Sequence, residues 1–172
     1  MDNVKISVVM SVYNGERHLK ESIDSILNQS FQNFEFIIIN DGSIDSTNLI
    51  LKSYCDERIR IINTKNQGLP AALNLGISLA QADIIARMDS DDIAHSTRLE
   101  KQLDYMEAHG ECILLGTSAR VIDECGEYVY TINAIQSWHK IKNRFPNSSF
   151  IHPSVVFRKN IFDKIGGYNI FM

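Results

Sequence analysis

The fold is decided by the stretch ISVVMSVY at residues 6–13, which is followed directly by Asn14-Gly15. A mostly apolar, β-branched run that stops at a turn dipeptide is typical of a strand buried inside a sheet. Beyond the turn, apolar residues recur at 19, 23, 26 and 27, the spacing of one face of a helix. The first 27 residues therefore predict a buried strand, a turn and a helix that packs on the sheet.

The same strand-then-helix unit recurs further along the chain. Strands are predicted at 34–40, 59–62 and 84–88, and helices at 49–54, at 69–80 and from residue 97 onward, where Thr97 and Glu100 form a capping box. Further strands are predicted at 112–121, 128–132 and 154–157, with a short helix near Phe162. Repeated units of this kind favour an α/β fold with a doubly wound, mostly parallel sheet and helices on both faces.

Composition narrows the class of protein. The 172 residues are 44% hydrophobic, which is enough for one substantial core, so we expect a single domain over residues 1–172. There are 17 basic and 21 acidic residues and no block of Lys or Arg, which argues against a nucleic-acid partner. The three cysteines show no close-paired spacing, so we expect buried, reduced thiols.

The sequence also carries a prediction about location. The N-terminus lacks the basic start and apolar run of a signal peptide, and no apolar stretch approaches the roughly 20 residues of a membrane span. We therefore expect a cytoplasmic protein, with peripheral contact at the inner face of the plasma membrane left open.

Polar turns follow three of the predicted strands, at Asn14, at Asp41-Gly42-Ser43 and at Asp89-Ser90-Asp91-Asp92. Each alone could simply end a strand or favour the start of a helix. Open α/β sheets bind ligands at the carboxyl ends of their strands, where all three turns are expected to meet. Asp89-x-Asp91 could share a divalent cation with a second anionic ligand, since Mg²⁺ or Mn²⁺ prefers about six oxygens and two carboxylates leave that shell incomplete. A diphosphate would complete it.

Competing phosphate-binding motifs are missing from the sequence. There is no G-x-x-x-x-G-K-[ST] loop, and no G-x-G-x-x-G follows the first strand. A P-loop hydrolase and a dinucleotide-dependent dehydrogenase are therefore disfavoured.

The ordered motifs resemble those of the family 2 glycosyltransferases, which have the GT-A fold. The matching segments are 8–14 (VVMSVYN), 39–43 (INDGS), 68–76, 85–92 (IARMDSDD), and His152-Pro153-Ser154 with Gly166-Gly167-Tyr168. The resemblance covers nearly the whole chain. It implies transfer of a sugar, with inversion, from a nucleoside-diphosphate sugar to an acceptor hydroxyl, usually in bacterial surface-polysaccharide synthesis. UDP is the favoured nucleotide, and the acceptor would be a saccharide or a lipid-linked saccharide.

The resemblance also implies roles for individual residues. Asp91 would bind Mn²⁺ or Mg²⁺ bridging the diphosphate, Asp41 would accept a hydrogen bond from the base, and Asp89 would face the ribose or the sugar. The full set of expected donor-binding residues is Val12, Tyr13, Asn14, Asp41, Asn74, Arg87, Asp89 and Ser90. Relatives often carry Arg where this chain has Leu73, directly before Asn74.

In the family, a carboxylate that deprotonates the acceptor lies further along the chain, commonly in a Glu-Asp pair. This chain ends at Met172, four residues after Tyr168, so we expect a C-terminally truncated domain with its catalytic base beyond Met172. Asp163 and His152 are the nearest substitutes, although a surface charge and a turn residue describe them better. Two alternatives stay open: a non-catalytic nucleotide-sugar-binding or assembly module, and a sugar nucleotidylyltransferase, whose Gly-rich, Arg-containing loop is missing.

Overall fold

The computed structural model describes residues 4–144 and 150–170. The strands are β1 (Ile6–Val12), β2 (Phe34–Asp41), β3 (Ile59–Thr64), β4 (Ile84–Asp89), β5 (Leu114–Leu115), β6 (Ala119–Ile122), β7 (Tyr128–Ile132) and β8 (Val156–Arg158). The helices are α1 (Leu19–Leu27), α2 (Thr47–Lys52), α3 (Leu69–Leu79), α4 (Arg98–Ala108), α5 (Trp138–Arg144) and α6 (Lys159–Ile165), with a 3₁₀ turn at His152–Ser154.

A six-stranded sheet in the order β3-β2-β1-β4-β8-β5 forms the centre of the fold. β1 to β4 are parallel, and β8 runs antiparallel to both of its neighbours. The chain steps outward from β1 to β2 and β3, and then returns to place β4 on the other side of β1. This reversal of strand order creates a switch point between β1 and β4, the place where open α/β sheets bind ligands. The predicted mostly parallel, doubly wound sheet is confirmed.

Helices cover both faces of this sheet. α1, α2 and α4 pack on one face, where their fully buried side chains include Leu19, Leu51 and Leu99. α3 and α6 pack on the other face, where Leu73 and Ile77 are buried. Each such Leu or Ile contributes about 1.5–3 kcal/mol through burial. Because strand side chains alternate between the two cores, both faces of the central strands are mostly apolar.

The predicted strand at 112–121 is wrong. Leu114–Leu115 joins the main sheet as β5, whereas Ala119–Ile122 leaves it and pairs with β7 in a separate two-stranded sheet. Between them, the Thr117 backbone N–H donates to the Ser154 hydroxyl at 3.1 Å. This bond turns the chain out of the sheet. The strand predicted from 154 begins only at Val156, because His152–Ser154 forms the 3₁₀ turn.

The predicted capping box of α4 is also wrong. Thr97 is the N-cap residue, but its side chain makes no capping hydrogen bond. The Thr97 hydroxyl lies 3.1 Å from the His95 imidazole, and the Glu100 carboxylate accepts a 2.8 Å hydrogen bond from Ser30. The side chains of Thr97 and Glu100 therefore interact with residues outside the helix instead of capping it.

The cysteines are free, as expected, but they are not buried. Cys55 and Cys125 are exposed, and Cys112 is half-buried against the edge of one core, because all three lie in connections between helices and strands. Among the described residues, no helix is both long and apolar enough to cross a membrane.

Candidate functional site

Three turns meet at the carboxyl ends of the central strands. In the register of the sheet, Val12 lies beside Asn40 of β2, and Ser11 lies beside Asp89 of β4. The ends of β1, β2 and β4 are therefore level, and the polar residues that follow them share one edge of the sheet. This confirms the predicted convergence and locates the candidate site at the β1/β4 switch point.

The first two turns are joined by side-chain hydrogen bonds. The Asn14 backbone N–H donates to the Ser43 hydroxyl at 3.0 Å, and the Ile44 N–H donates to the Asn14 Oδ1 at 2.9 Å. The Gly15 N–H donates to the Thr47 hydroxyl at 2.9 Å. Asn14 has a φ of +53°, which turns the chain sharply as β1 ends. The turn after β1 is thus fixed to the segment that leads into α2.

The first and third turns also approach each other closely. A Cβ added at Gly15 would lie 2.6 Å from the Val12 Cγ2 and 3.5 Å from the Ser90 hydroxyl. A side chain at this position would therefore collide with Val12, whereas Ser90 lies at an ordinary van der Waals distance from the turn after β1. Val12 itself is buried, whereas Tyr13 is 52% exposed at the rim.

Asp41, the predicted base-binding residue, is buried at the end of β2 with an exposed fraction of 2%. Its Oδ1 accepts hydrogen bonds from the Thr64 hydroxyl at 3.1 Å and the Gln67 N–H at 3.0 Å. Its Oδ2 accepts one from the Gly68 N–H at 2.8 Å. The carboxylate thus ties the loop after β3 to the sheet and lies at the start of α3. Each carboxylate oxygen has two lone pairs, so Oδ2 can accept a further donor.

Asp89, Asp91 and Asp92 form an acidic cluster in the third turn. One carboxylate oxygen from each lies within 4.8 Å of the others. Burial raises the pKa of Asp89, although Arg87 opposes this shift, and burial together with the neighbouring carboxylates raises the pKa of Asp92. Hard oxygen ligands gathered this closely fit Mg²⁺ or Mn²⁺, with Asp91 the most exposed of the three.

Arg87 lies behind this cluster, on the α3 side of β4. Its guanidinium is buried, and its two terminal nitrogens donate to the Asp89 carboxylate, Nη1 to Oδ2 at 2.9 Å and Nη2 to Oδ1. Within the described residues, its Nε is buried without a hydrogen-bond acceptor. Arg87 therefore fixes the orientation of Asp89 and offsets its charge, and a direct contact to a donor is not needed to explain its burial.

Asn74 is half-buried on α3 and faces the end of the described chain. Its Nδ2 donates to the Tyr168 carbonyl at 2.9 Å, and its Oδ1 accepts from the Tyr168 N–H at 2.8 Å. The Tyr168 hydroxyl in turn lies 2.9 Å from the His152 Nε2. Sequence reasoning assigned no role to Tyr168, although its motif and that of His152 were both recognised.

The two residues considered as substitute bases lie in different settings. Asp163 is exposed on α6, as expected for a surface charge. His152 lies in the 3₁₀ turn, where partial burial and then the charge of Arg87 lower its pKa to about 4.

Solved structures share this architecture. TarS of S. aureus, residues 1–349 in complex with UDP-GlcNAc, matches with a TM-score of 0.76 at 20% identity, covering 95% of this chain and 48% of that one. The mannosyltransferase PcManGT from Pyrobaculum calidifontis, in complex with GDP-Man and Mn²⁺, matches with a TM-score of 0.74 at 16% identity, covering 98% and 48%. Identities this low establish the fold alone. The protein is thus an α/β domain of the GT-A type.

Sequence relatives identify the family. The chain matches the family described as Glycosyl transferase family 2 over residues 7–171, and it belongs to that family. It is 39% identical over 168 residues to EpsE of Bacillus subtilis, covering 95% of this chain and 60% of that protein. It is 38% identical over 167 residues to the O-antigen biosynthesis glycosyltransferase WbnJ of Escherichia coli, covering 95% and 65%. The chain therefore spans about two thirds or less of these relatives' length.

Proposed function

We propose that this chain forms the donor-binding part of an inverting enzyme that transfers a sugar from a nucleoside-diphosphate sugar to an acceptor hydroxyl. The observation that carries the proposal is the cluster of Asp89, Asp91 and Asp92 at the β1/β4 switch point. A cation held there would need further oxygen ligands, and a diphosphate supplies them. The donors named for TarS and PcManGT, UDP-GlcNAc and GDP-Man, have this chemistry.

In this proposal each part of the site has one task. Asp91 holds Mn²⁺ or Mg²⁺, which would stabilise the charge that develops on the leaving diphosphate. Asp89, oriented by Arg87, faces the ribose or the sugar. Asp41 accepts a base N–H, with the backbone at Val12 and Tyr13 beside the base. Uracil, thymine and guanine all offer such a donor, and a UDP-sugar is our first candidate.

We extend the proposal to the cellular role. WbnJ is named for O-antigen biosynthesis, and we propose a comparable role in bacterial surface-polysaccharide synthesis for this protein. The acceptor would be a saccharide or a lipid-linked saccharide, and the second kind would bring the protein to the inner face of the plasma membrane. The anomeric configuration of the product, read by NMR, tests inversion.

Calorimetric titration tests the donor site directly. UDP and GDP are titrated, with and without Mn²⁺, into the wild type, Asp91→Asn and the control Asp104→Asn, an exposed aspartate on α4. We expect binding that depends on Mn²⁺ and weakens at least about tenfold in Asp91→Asn, since even an outer-shell partner contributes that much. Asp104→Asn should bind as the wild type does.

Two results would overturn this proposal. One is that neither nucleotide binds, and the other is that binding needs no metal and is indifferent to Asp91→Asn. Metal-dependent binding of donor without transfer to any acceptor would instead favour a non-catalytic nucleotide-sugar-binding module.

A further inference from the structure

His152 and Tyr168 form a polar pair beside the candidate donor site. The His152 Nε2 and the Tyr168 hydroxyl are 2.9 Å apart, and the two rings meet edge to face with centroids 5.3 Å apart. His152 lies in the turn before β8, the strand that pairs with β4. The Arg87 backbone N–H donates to the Val155 carbonyl at 2.9 Å, which places the turn that contains His152 beside the end of β4. The pair therefore borders the same end of β4 as the acidic cluster.

Asn74 holds this pair in place. Its amide makes two hydrogen bonds to the Tyr168 backbone, of 2.9 and 2.8 Å, one through the nitrogen and one through the oxygen. The preceding residue, Gly167, has a φ of +80°, and a Cβ there would lie 2.8 Å from the Asn74 Oδ1. The contact thus needs glycine at 167 and an amide at 74, and it fixes a turn that lies 94 residues away in sequence.

The pair carries no charge at neutral pH. Partial burial and Arg87 lower the pKa of His152 to about 4, and burial raises the pKa of Tyr168 above its ordinary value. The positive charge of Arg87 is itself offset by Asp89. Neutral groups that can both donate and accept suit the hydroxyl groups of a sugar, whereas the nearby carboxylates with a cation suit a diphosphate.

We propose that His152 and Tyr168 hydrogen-bond the sugar of the donor, and that Asn74 is a positioning residue that sets their geometry. This inference rests on the proposed function, since it concerns the sugar of the same nucleotide donor. It assigns Asn74 an indirect role, because both its amide nitrogen and its amide oxygen are directed at the Tyr168 backbone. Residues 85, 87 and 89 alternate onto one face of β4, and Tyr168 packs against the core cluster on that face, which includes Ile85. Tyr168 therefore lies on the same face of the sheet as Arg87 and Asp89.

The test measures the contribution of the sugar to binding separately from that of the nucleotide. Dissociation constants for UDP, UDP-GlcNAc, GDP and GDP-mannose are measured with Mn²⁺ for the wild type, His152→Ala, Tyr168→Phe and Asn74→Ala. The control is His109→Ala, a half-buried histidine that follows α4 and stacks on Tyr105. The measured quantity is the dissociation constant of the nucleotide divided by that of the corresponding nucleotide-sugar. A general loss of structure weakens both ligands alike and leaves this ratio unchanged.

We expect the ratio to fall by about five- to tenfold in each of the three site variants, the effect of one lost neutral hydrogen bond. Binding of UDP or GDP alone should stay within about twofold of the wild type, and His109→Ala should change neither. An unchanged ratio for every donor that binds, or equal weakening of nucleotide and nucleotide-sugar, would overturn the inference while leaving the proposed function intact. If the wild type binds no nucleotide, the proposed function itself fails.

Discussion

Replacing Gly42 by alanine should destabilise the fold for two separable reasons. Gly42 follows β2 with a φ of +76°, a conformation that costs an L-residue about 1–2 kcal/mol. A Cβ at this position would also lie 2.7 Å from the backbone nitrogen of Asn66. That atom cannot rotate away as a side chain can, and Asn66 directly precedes the Gln67 and Gly68 amides that bind Asp41. Forced contacts of this kind cost about 1–3 kcal/mol. We therefore expect Gly42→Ala to lose about 2–5 kcal/mol of unfolding free energy in total.

Two other glycines separate these contributions. Gly166 has a φ of +83° at the end of α6, but a Cβ there would meet nothing within 4 Å. Gly166→Ala should therefore cost only the conformational part, about 1–2 kcal/mol. Gly110 has neither a positive φ nor a neighbour within 4 Å. Gly110→Ala should be neutral or should stabilise by about 0.4–1 kcal/mol, by reducing the freedom of the unfolded chain.

Urea unfolding, followed by circular dichroism, measures all three variants against the wild type. The comparison is valid where the slope of the free energy against urea is the same for each protein. The expected order of stability is Gly110→Ala, then Gly166→Ala, then Gly42→Ala. If Gly42→Ala lost no more than Gly166→Ala, the loop at Asn66 would be free to move, and the argument that Asp41 holds it rigidly would be refuted.

The remaining predictions concern the stability of the fold. Glu35 is buried and accepts hydrogen bonds from the Ser7 hydroxyl at 2.5 Å and the Gln81 N–H at 2.6 Å, so Glu35→Ala should cost about 1–3 kcal/mol in the same assay. The control Glu100→Ala changes an exposed carboxylate, and its unfolding free energy should stay within about 0.5 kcal/mol of the wild type. If Glu35→Ala and Glu100→Ala lost the same stability, the hydrogen bonds assigned to Glu35 would be contradicted. Burial and Arg87 lower the pKa of His152 from 6.5 to about 4, so the unfolded chain binds more protons between these values and stability falls as pH drops through them. His152→Gln should flatten that decline between pH 7 and pH 4, and an unchanged slope would contradict the assignment.

The central sheet could be predicted because its strands have a clear signal in the sequence. β1, β2 and β4 are buried on both faces, so their sequences are mostly apolar runs that end at recognisable turns. The region of β5 and β6 offers no such signal. Gly116 to Ser118 leaves the main sheet through a hydrogen bond from Thr117 to Ser154, a partner 37 residues away. A pattern read in a short window cannot contain that bond.

The site shows the same division. The convergence of the turns at Asn14, Asp41 and Asp89 follows from parallel strands with level ends, and this could be predicted. The engagement of Asn74 with Tyr168 could not, because it joins residues 94 apart with no shared periodicity. The roles of the predicted donor-binding residues remain predictions, to be tested as described above.

Asn14 shows how strongly an exposed position can be restricted. Its backbone adopts a φ of +53°, which is readily accessible only to Gly, Asn and Asp, while its Oδ1 accepts the Ile44 N–H. Glycine would satisfy the backbone but remove the acceptor. Aspartate would satisfy both but would add a negative charge one residue from Gly15, which lies against Ser90 of the acidic turn. Of the twenty side chains, asparagine alone meets all three demands, so substitution at this surface residue is as restricted as in the core.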